Sequence, residues 1–184
     1  MTAHHTSDHL PWSAWRAAAS DPVIDGALGA LYDRLDSDVA KRGPTCWISG
    51  RCCRFDAYGH SLYVTGLEVA WVLGKSRKSQ VASVASRGAL DDSGPAARSV
   101  TMESGDAPAD GACPFQAGGL CRIREIRPLG CRVFFCQHGT EDWQRDLYER
   151  YLGDLRSLHD DYDVAYRYLE WRAALKSAAD SADY

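Results

Sequence analysis

Two short cysteine-rich blocks constrain this chain more than any other feature of its sequence. The first block spans residues 46–53 and the second spans residues 113–136. The seven cysteines are, in order, Cys46, Cys52, Cys53, Cys113, Cys121, Cys131 and Cys136. Cysteine often packs as a small buried hydrophobic residue, but its thiolate is also a strong metal ligand. Core packing accounts for one or two of the seven, so the sequence predicts that the set holds a metal ion or cluster.

The spacing of the cysteines leaves the metal open. No C-x2-C pair of a zinc ribbon or finger is present, and neither ferredoxin spacing fits. An iron–sulfur cluster and Zn²⁺ both accept four thiolates, so both stay as candidate cofactors. The placement of the ligands on loops and the arginines nearby slightly favour the iron–sulfur cluster over Zn²⁺.

The adjacent pair Cys52–Cys53 raises a geometric question. In an extended backbone neighbouring side chains point to opposite faces, which makes it difficult for both to bind one tetrahedral ion. We therefore expect either that one of them ligates while the other packs, or that each serves a different metal. Seven thiolates and one histidine would suit two four-ligand sites, and the histidines close to cysteines are His60 and His138.

Positive charge is concentrated beside the cysteines. Residues 113–138 carry four basic side chains and one acidic side chain, a balance of +3, whereas residues 141–184 carry six basic and eleven acidic, a balance of −5. Nearby cations lower the pKa of a thiol and offset the charge of a thiolate cluster. We expect Arg51, Arg127 and Arg132 to act in this way on the bound group, as counter-charges and donors to sulfur.

Composition excludes several classes of protein. A formal net charge of −4 gives no reason to expect binding to nucleic acid or to an anionic membrane surface. No apolar run approaches the roughly 20 residues that span a bilayer, and the N-terminus lacks the features of a secretory signal. The expected location is the cytoplasm, where clustered cysteines are metal or redox ligands more often than disulfides.

The apolar pattern predicts a mainly α fold, a small single domain with irregular cysteine-bearing loops clamped around a metal site. The domain is expected to span residues 11–176, with a flexible insertion at about 75–111, between tails at 1–10 and 177–184. The insertion is rich in Ser, Ala, Gly and Asp and has no aromatic residue, which limits the apolar surface it can bury. The predicted elements are helices at 11–19, 22–41, 65–73, 141–159 and 164–176, and short strands at 61–64 and around Val100.

One string in the second block resembles a known family. It reads C-x-I-x-x-x-R-P-x-x-C-R-x-F-x-C from Cys121 to Cys136, and CPF precedes it at Cys113. With the CC pair and the T-x-x-E helix start of the first block, it is similar to the YkgJ-type cysteine-cluster family, described as a zinc- or iron-chelating domain. The resemblance covers residues 44–172 without the insertion, and it implies metal binding. Ser49 stands where many members have a further cysteine.

Two other functions remain open at this point. An enzyme could use a non-ligating cysteine beside Arg51 or Arg132 as a nucleophile or redox centre. A structural zinc module could instead bind a protein partner, with aromatic residues at the contact surface. The aromatic candidates, for which core packing is the simpler interpretation, are Trp12, Trp15, Trp143, Tyr148, Tyr151, Tyr162, Tyr166 and Tyr168.

Overall fold

Seven α-helices and two small antiparallel sheets form the part of the chain that the computed structural model describes, residues 10–46, 49–87 and 111–181. The helices are α1 (Trp12–Ser20), α2 (Pro22–Arg42), α3 (Phe55–Tyr58), α4 (Gly66–Arg87), α5 (Leu129–Val133), α6 (Glu141–Asp161) and α7 (Trp171–Asp180). The strands are β1 (Tyr63–Thr65), β2 (Gln116–Ala117), β3 (Leu120–Cys121) and β4 (Tyr168–Glu170). The prediction of a mainly α, small single domain is confirmed.

Helix α2 begins and ends where the sequence predicts. The Asp21 carboxylate accepts hydrogen bonds from the backbone N–H groups of Val23 and Ile24, which have no partner within the helix. Pro22 occupies the first helical position, where a missing N–H costs nothing. Gly43 ends the helix in the left-handed conformation, at φ 63°. The helix packs against α1 and α6 and supplies part of the core.

Helix α4 starts at the predicted capping box but is longer than predicted. The Thr65 amide donates to Glu68 Oε2 over 2.7 Å, and the Glu68 amide donates to Thr65 Oγ1 over 3.2 Å. We expected an end near Gly74, yet the helix continues to Arg87, because one helical glycine costs only about 1 kcal/mol. The predicted insertion at 75–111 therefore begins as helix. Although α4 has 22 residues, no helix in the described ranges has the length and apolar character to cross a membrane.

The Glu68 carboxylate also joins α4 to the element that carries the second cysteine block. Its Oε1 accepts from Tyr32 Oη on α2 and from the Leu129 amide at the start of α5, each over 2.8 Å. The side chain is 1% exposed, and this desolvation raises its pKa above the usual value. Three neighbouring elements are thus held at one buried carboxylate.

The last predicted helix is wrong at its start. Residues 164–170 are not helical, because β4 pairs antiparallel with β1, with Tyr63 opposite Glu170 and Thr65 opposite Tyr168. Asp163, at φ 50°, turns the chain after α6 so that it returns along β1. Helix α7 begins only at Trp171. The tyrosines of this segment suit a short, half-buried strand, and its pairing with a distant segment overrides the helical spacing.

The core lies between the helices and includes several of the aromatic residues. Trp12, Trp15 and Tyr151 are buried, so core packing is confirmed for them. Trp12 and Trp15 meet edge to face with ring centroids 4.9 Å apart, and Trp15 Nε1 donates to Ala165 O over 2.7 Å. In contrast, Tyr168 is 38% exposed.

The predicted C-terminal tail is also partly wrong. Helix α7 runs to Asp180, its Ala178 is fully buried, and Ser177 accepts a hydrogen bond from Trp12 Nε1. The first residues of that predicted tail are therefore part of the packed domain. Residues 1–9, residues 88–110 and the strand predicted around Val100 lie outside the described residues.

Candidate metal centre

The first cysteine block is held by a helical turn rather than an extended strand. Residues Arg51–Cys53 form one 3₁₀ turn, which leads into α3. In this conformation Cys52 Sγ and Cys53 Sγ lie 3.8 Å apart. The expectation that the two side chains point to opposite faces is therefore wrong, because it assumed an extended backbone. Both thiols can face one ion.

The second block is attached to the first through its backbone. The Cys113 amide donates to the Cys53 carbonyl over 2.7 Å, and Arg54 pairs with Ala112 in an antiparallel bridge. A hairpin of β2 and β3 follows, and it places Cys121 opposite Gln116. Its turn contains Gly118 and Gly119, both at positive φ, a conformation that side chains other than glycine rarely adopt. The hairpin returns Cys121 toward the first block.

The thiols of the two blocks influence one another around Cys53. The sulfurs of Cys52 and Cys53 lie 3.8 Å apart, and the Cys113 amide is bonded to the Cys53 carbonyl. Interaction with the Cys53 thiol lowers the pKa of Cys52 to about 7 and that of Cys121 to about 6, and it lowers the pKa of Cys113 as well. Interaction with the same three thiols raises the pKa of Cys53. Loss of a proton is therefore favoured at Cys52, Cys113 and Cys121 and disfavoured at Cys53.

A fifth thiol, Cys131, borders this group from α5. Burial raises its pKa well above the usual value, and the charges of Cys113, Cys121 and Cys52 raise it further. Like-charge repulsion of this kind couples Cys131 electrostatically to those three thiols. We call Cys52, Cys53, Cys113, Cys121 and Cys131 the thiol cluster.

Arg127 is the arginine that the fold places beside the thiol cluster. Its charge lowers the pKa values of Cys52, Cys121 and Cys131. Its Nη1 donates to the Cys131 carbonyl and its Nε donates to the Arg124 carbonyl, each over 2.9 Å. These two hydrogen bonds hold the guanidinium in position.

The other two predicted arginines point elsewhere. Arg132 is buried, and its guanidinium donates to Asp36 Oδ2, to Arg127 O and to Glu125 O. The predicted contact of Arg132 with sulfur is therefore replaced by contacts with oxygen, because a buried guanidinium needs acceptors in several directions. It also lies 4.3 Å from the Tyr32 ring centroid.

Arg51 is exposed, and its guanidinium lies 5.1 Å from the Tyr58 ring centroid. The expectation that it faces the bound group is not supported by that contact. Arg124, which lies near Cys121 in the sequence, instead approaches a thiol directly, with Nη1 4.0 Å from Cys46 Sγ.

Cys46 and Cys136 have other contacts. Cys46 is exposed and faces Arg124. Cys136 Sγ lies 3.4 Å from the hydroxyl of Ser49, the residue that stands where the resembling family has a cysteine. The neighbouring Gln137 side chain accepts from the Thr45 amide over 3.0 Å. We call the contact of Thr45, Cys46 and Ser49 with Arg124, Cys136 and Gln137 the outer contact.

The two candidate histidines are placed differently. His138 is exposed in a turn. His60 stacks on Phe134 with centroids 5.6 Å apart and meets Phe55 edge to face at 5.3 Å. Its Nε2 is buried with no hydrogen-bond partner among the described residues. His60 is thus packed between aromatic rings.

The geometry fits thiolate coordination in one respect and not in another. Zn–S bonds of about 2.3 Å place tetrahedral sulfurs about 3.8 Å apart, which matches the Cys52–Cys53 separation of 3.8 Å. Within the described ranges, however, no three His, Cys, Asp or Glu side chains are arranged to hold a metal ion. Coordination therefore requires the thiol side chains to turn toward a common ion.

Two residues at the start of α7 contact this region and were missed as site residues. Trp171 Nε1 lies 3.4 Å from Cys113 Sγ. Arg172 Nη1 donates to Asp56 Oδ1 over 2.9 Å and to Gly111 O over 3.0 Å, which bridges the two cysteine blocks. Neither residue can be recognised from its spacing to a cysteine, because the contacts join distant parts of the chain. Trp171 and Cys113, for example, are 58 residues apart in sequence. Both residues lie within residues 44–172, which the family resemblance covers.

Comparisons with known proteins add no relative. No protein-family model matches the chain, and no curated protein or solved structure matches it either. The resemblance to the YkgJ-type family therefore stays a prediction.

Proposed function

We propose that this chain is a metal-binding protein whose centre is formed by the thiol cluster. The observation that carries the proposal is that the fold pairs the two cysteine blocks although a long segment separates them. The Cys113 amide donates to the Cys53 carbonyl, and the Cys53 sulfur lies 3.8 Å from that of Cys52. Core packing does not require four thiols from two loops to converge. Metal coordination does, because zinc and iron–sulfur centres each take four thiolates.

The acid–base properties of the cluster support the same function. Ligation requires thiolates, and the pKa of Cys121 is lowered to about 6 and that of Cys52 to about 7. A bound cation would offset their negative charge, which Arg127 and Arg124 offset only in part. The expected bound group is Zn²⁺ or an iron–sulfur cluster. An iron–sulfur cluster would permit electron transfer to a protein partner. A reducing cytoplasm is the compartment in which such thiols stay free.

Metal analysis of anaerobically purified protein tests this proposal. A brown protein with iron, sulfide and visible absorption would identify an iron–sulfur cluster. A colourless protein that releases stoichiometric zinc on thiol modification would identify Zn²⁺. Protein without stoichiometric iron or zinc, and unable to take up either when reconstituted, would contradict the proposal. It would favour an enzyme with a non-ligating cysteine instead.

A further inference from the structure

We infer that Trp171 is a positioning residue of this metal centre, which donates an indole N–H hydrogen bond to the sulfur of Cys113. The inference rests on the proposed metal-binding function. Through this hydrogen bond the C-terminal helix α7 contacts the centre and adjusts the bound group.

The contact is buried at both ends. Trp171 is 0% exposed and Cys113 is 5% exposed, with Nε1 and Sγ 3.4 Å apart. The indole nitrogen only donates, and a buried donor without an acceptor is costly. The sulfur of Cys113 is the acceptor that the fold supplies. The indole N–H of Trp171 therefore donates to this sulfur whether or not a metal is bound.

The backbone on both sides of the indole is fixed. The Trp171 amide donates to the Leu62 carbonyl over 2.8 Å, and Glu170 caps α7 by accepting from the Ala173 amide over 2.8 Å. The Trp171 ring also packs near Phe115, with ring centroids 5.9 Å apart.

The next residue, Arg172, is hydrogen-bonded to Asp56 and to the Gly111 carbonyl, on the two chain segments that carry the cysteines. A donor held this firmly keeps its direction when the thiol turns toward an ion.

A hydrogen bond to a ligating sulfur changes the electronic properties of the metal. It draws electron density from the thiolate, which weakens donation to the ion and raises the reduction potential of an iron–sulfur cluster. Trp171 therefore acts through Cys113 rather than as a ligand. It also places a fluorescent side chain in contact with the centre.

The test uses the full chain with Co²⁺ as the probe, ¹⁵N-labelled at tryptophan, and compares Trp171→Phe with Trp12→Phe. Trp12 is the matched control because it is also buried, but its Nε1 donates to Ser177 Oγ. We expect the Trp171 indole proton to exchange slowly without metal and to undergo a large paramagnetic shift with Co²⁺. In Trp171→Phe the sulfur-to-cobalt absorption should move to longer wavelength, whereas Trp12→Phe should leave it unchanged.

Each outcome decides a separate question. If Co²⁺ produces the sulfur-to-cobalt absorption but the Trp171 proton shifts no more than that of Trp12, the inference is overturned and metal binding stands. If no such absorption forms, metal binding by the thiols fails and the inference fails with it. If Trp171→Phe does not fold, the wild-type spectrum still decides, because proximity to the Phe115 ring identifies the Trp171 signal.

Discussion

The Cys113 amide donates a 2.7 Å hydrogen bond to the Cys53 carbonyl, so the two cysteine blocks are joined through their backbones. This bond belongs to the antiparallel bridge between Arg54 and Ala112. Backbone pairing fixes where the Cβ atoms of both cysteines lie. Metal binding then requires side-chain rotation, and the chain that carries the thiols is already in place.

Cys53, whose sulfur lies 3.8 Å from that of Cys52 and whose carbonyl bonds the Cys113 amide, should be needed for metal binding. In Cys53→Ser we expect metal to fall well below half of the wild-type stoichiometry and the unfolding temperature to fall with it, because metal-binding free energy is largely folding free energy. Cys121→Ser and Cys131→Ser should behave similarly. Metal analysis and thermal unfolding measure both quantities.

Cys46→Ser is the matched control for these variants, since Cys46 is exposed and faces Arg124. It should keep most of the metal. Full metal content in both Cys53→Ser and Cys121→Ser would exclude the thiol cluster as the binding site, and loss of metal only in Cys46→Ser would move the site to the outer contact.

Arg172 should stabilise the domain although it binds no metal. Its guanidinium contacts Asp56 and Gly111 O, and it lies 5.2 Å from the Phe55 ring centroid. Arg172→Ala should lower the free energy of unfolding by about 1–2 kcal/mol, as measured by urea denaturation. Arg145→Ala removes an arginine from an exposed pair with Asp142, so its effect should stay within about 0.5 kcal/mol. Equal losses in the two variants would show that Arg172 does not connect the cysteine blocks.

Two glycines of α4 should respond oppositely to alanine. A Cβ at Gly66 would lie 2.4 Å from the Trp15 ring, which is buried and held by its hydrogen bond to Ala165. Gly66→Ala should therefore destabilise the domain by about 1–3 kcal/mol. At Gly74 a Cβ meets nothing within 4 Å, so Gly74→Ala should stabilise the helix by about 0.5–1 kcal/mol. Chemical denaturation of both variants would reveal the difference, and a loss at Gly74 would contradict the helical extension of α4 past it.

Acid should destabilise the domain through His159. The side chain is 1% exposed, and burial lowers its pKa below the usual 6.5. The unfolded chain therefore takes up a proton before the folded one does. Stability that is present above pH 6.5 should be lost as the pH falls toward the lower, folded pKa, with a slope of at most about 1.4 kcal/mol per pH unit.

His159→Gln should remove this contribution, because glutamine does not titrate and can still donate to Val164 O, which lies 3.0 Å from His159 Nδ1. The measurement is urea denaturation of both proteins between pH 7.5 and pH 5. Identical slopes for the two proteins would show that His159 does not cause the acid sensitivity.

The helices were largely predictable because their signals are local. Asp21 with Pro22, and Thr65 with Glu68, are capping patterns that act within one helical turn. The predicted start of the last helix was wrong because it depends on contacts with residues that are distant in the sequence. Residues 168–170 follow a helical spacing but pair with β1. No nearby residue in the sequence indicates this pairing. A helix end near Gly74 failed for a different reason, since the cost of one glycine is small compared with continued helix formation.

The sequence by itself determined that this is a mainly α protein with its cysteines in two blocks, and that arginine accompanies them. Only the tertiary structure decided which thiols meet. It paired the backbone of Cys113 with that of Cys53 and put Cys136 beside Ser49. It gave Arg132 oxygen partners, and it brought Trp171 to Cys113. The physical reason is range: helix propensity and capping act over a few residues, whereas a site shared by separated loops exists only after those loops have packed.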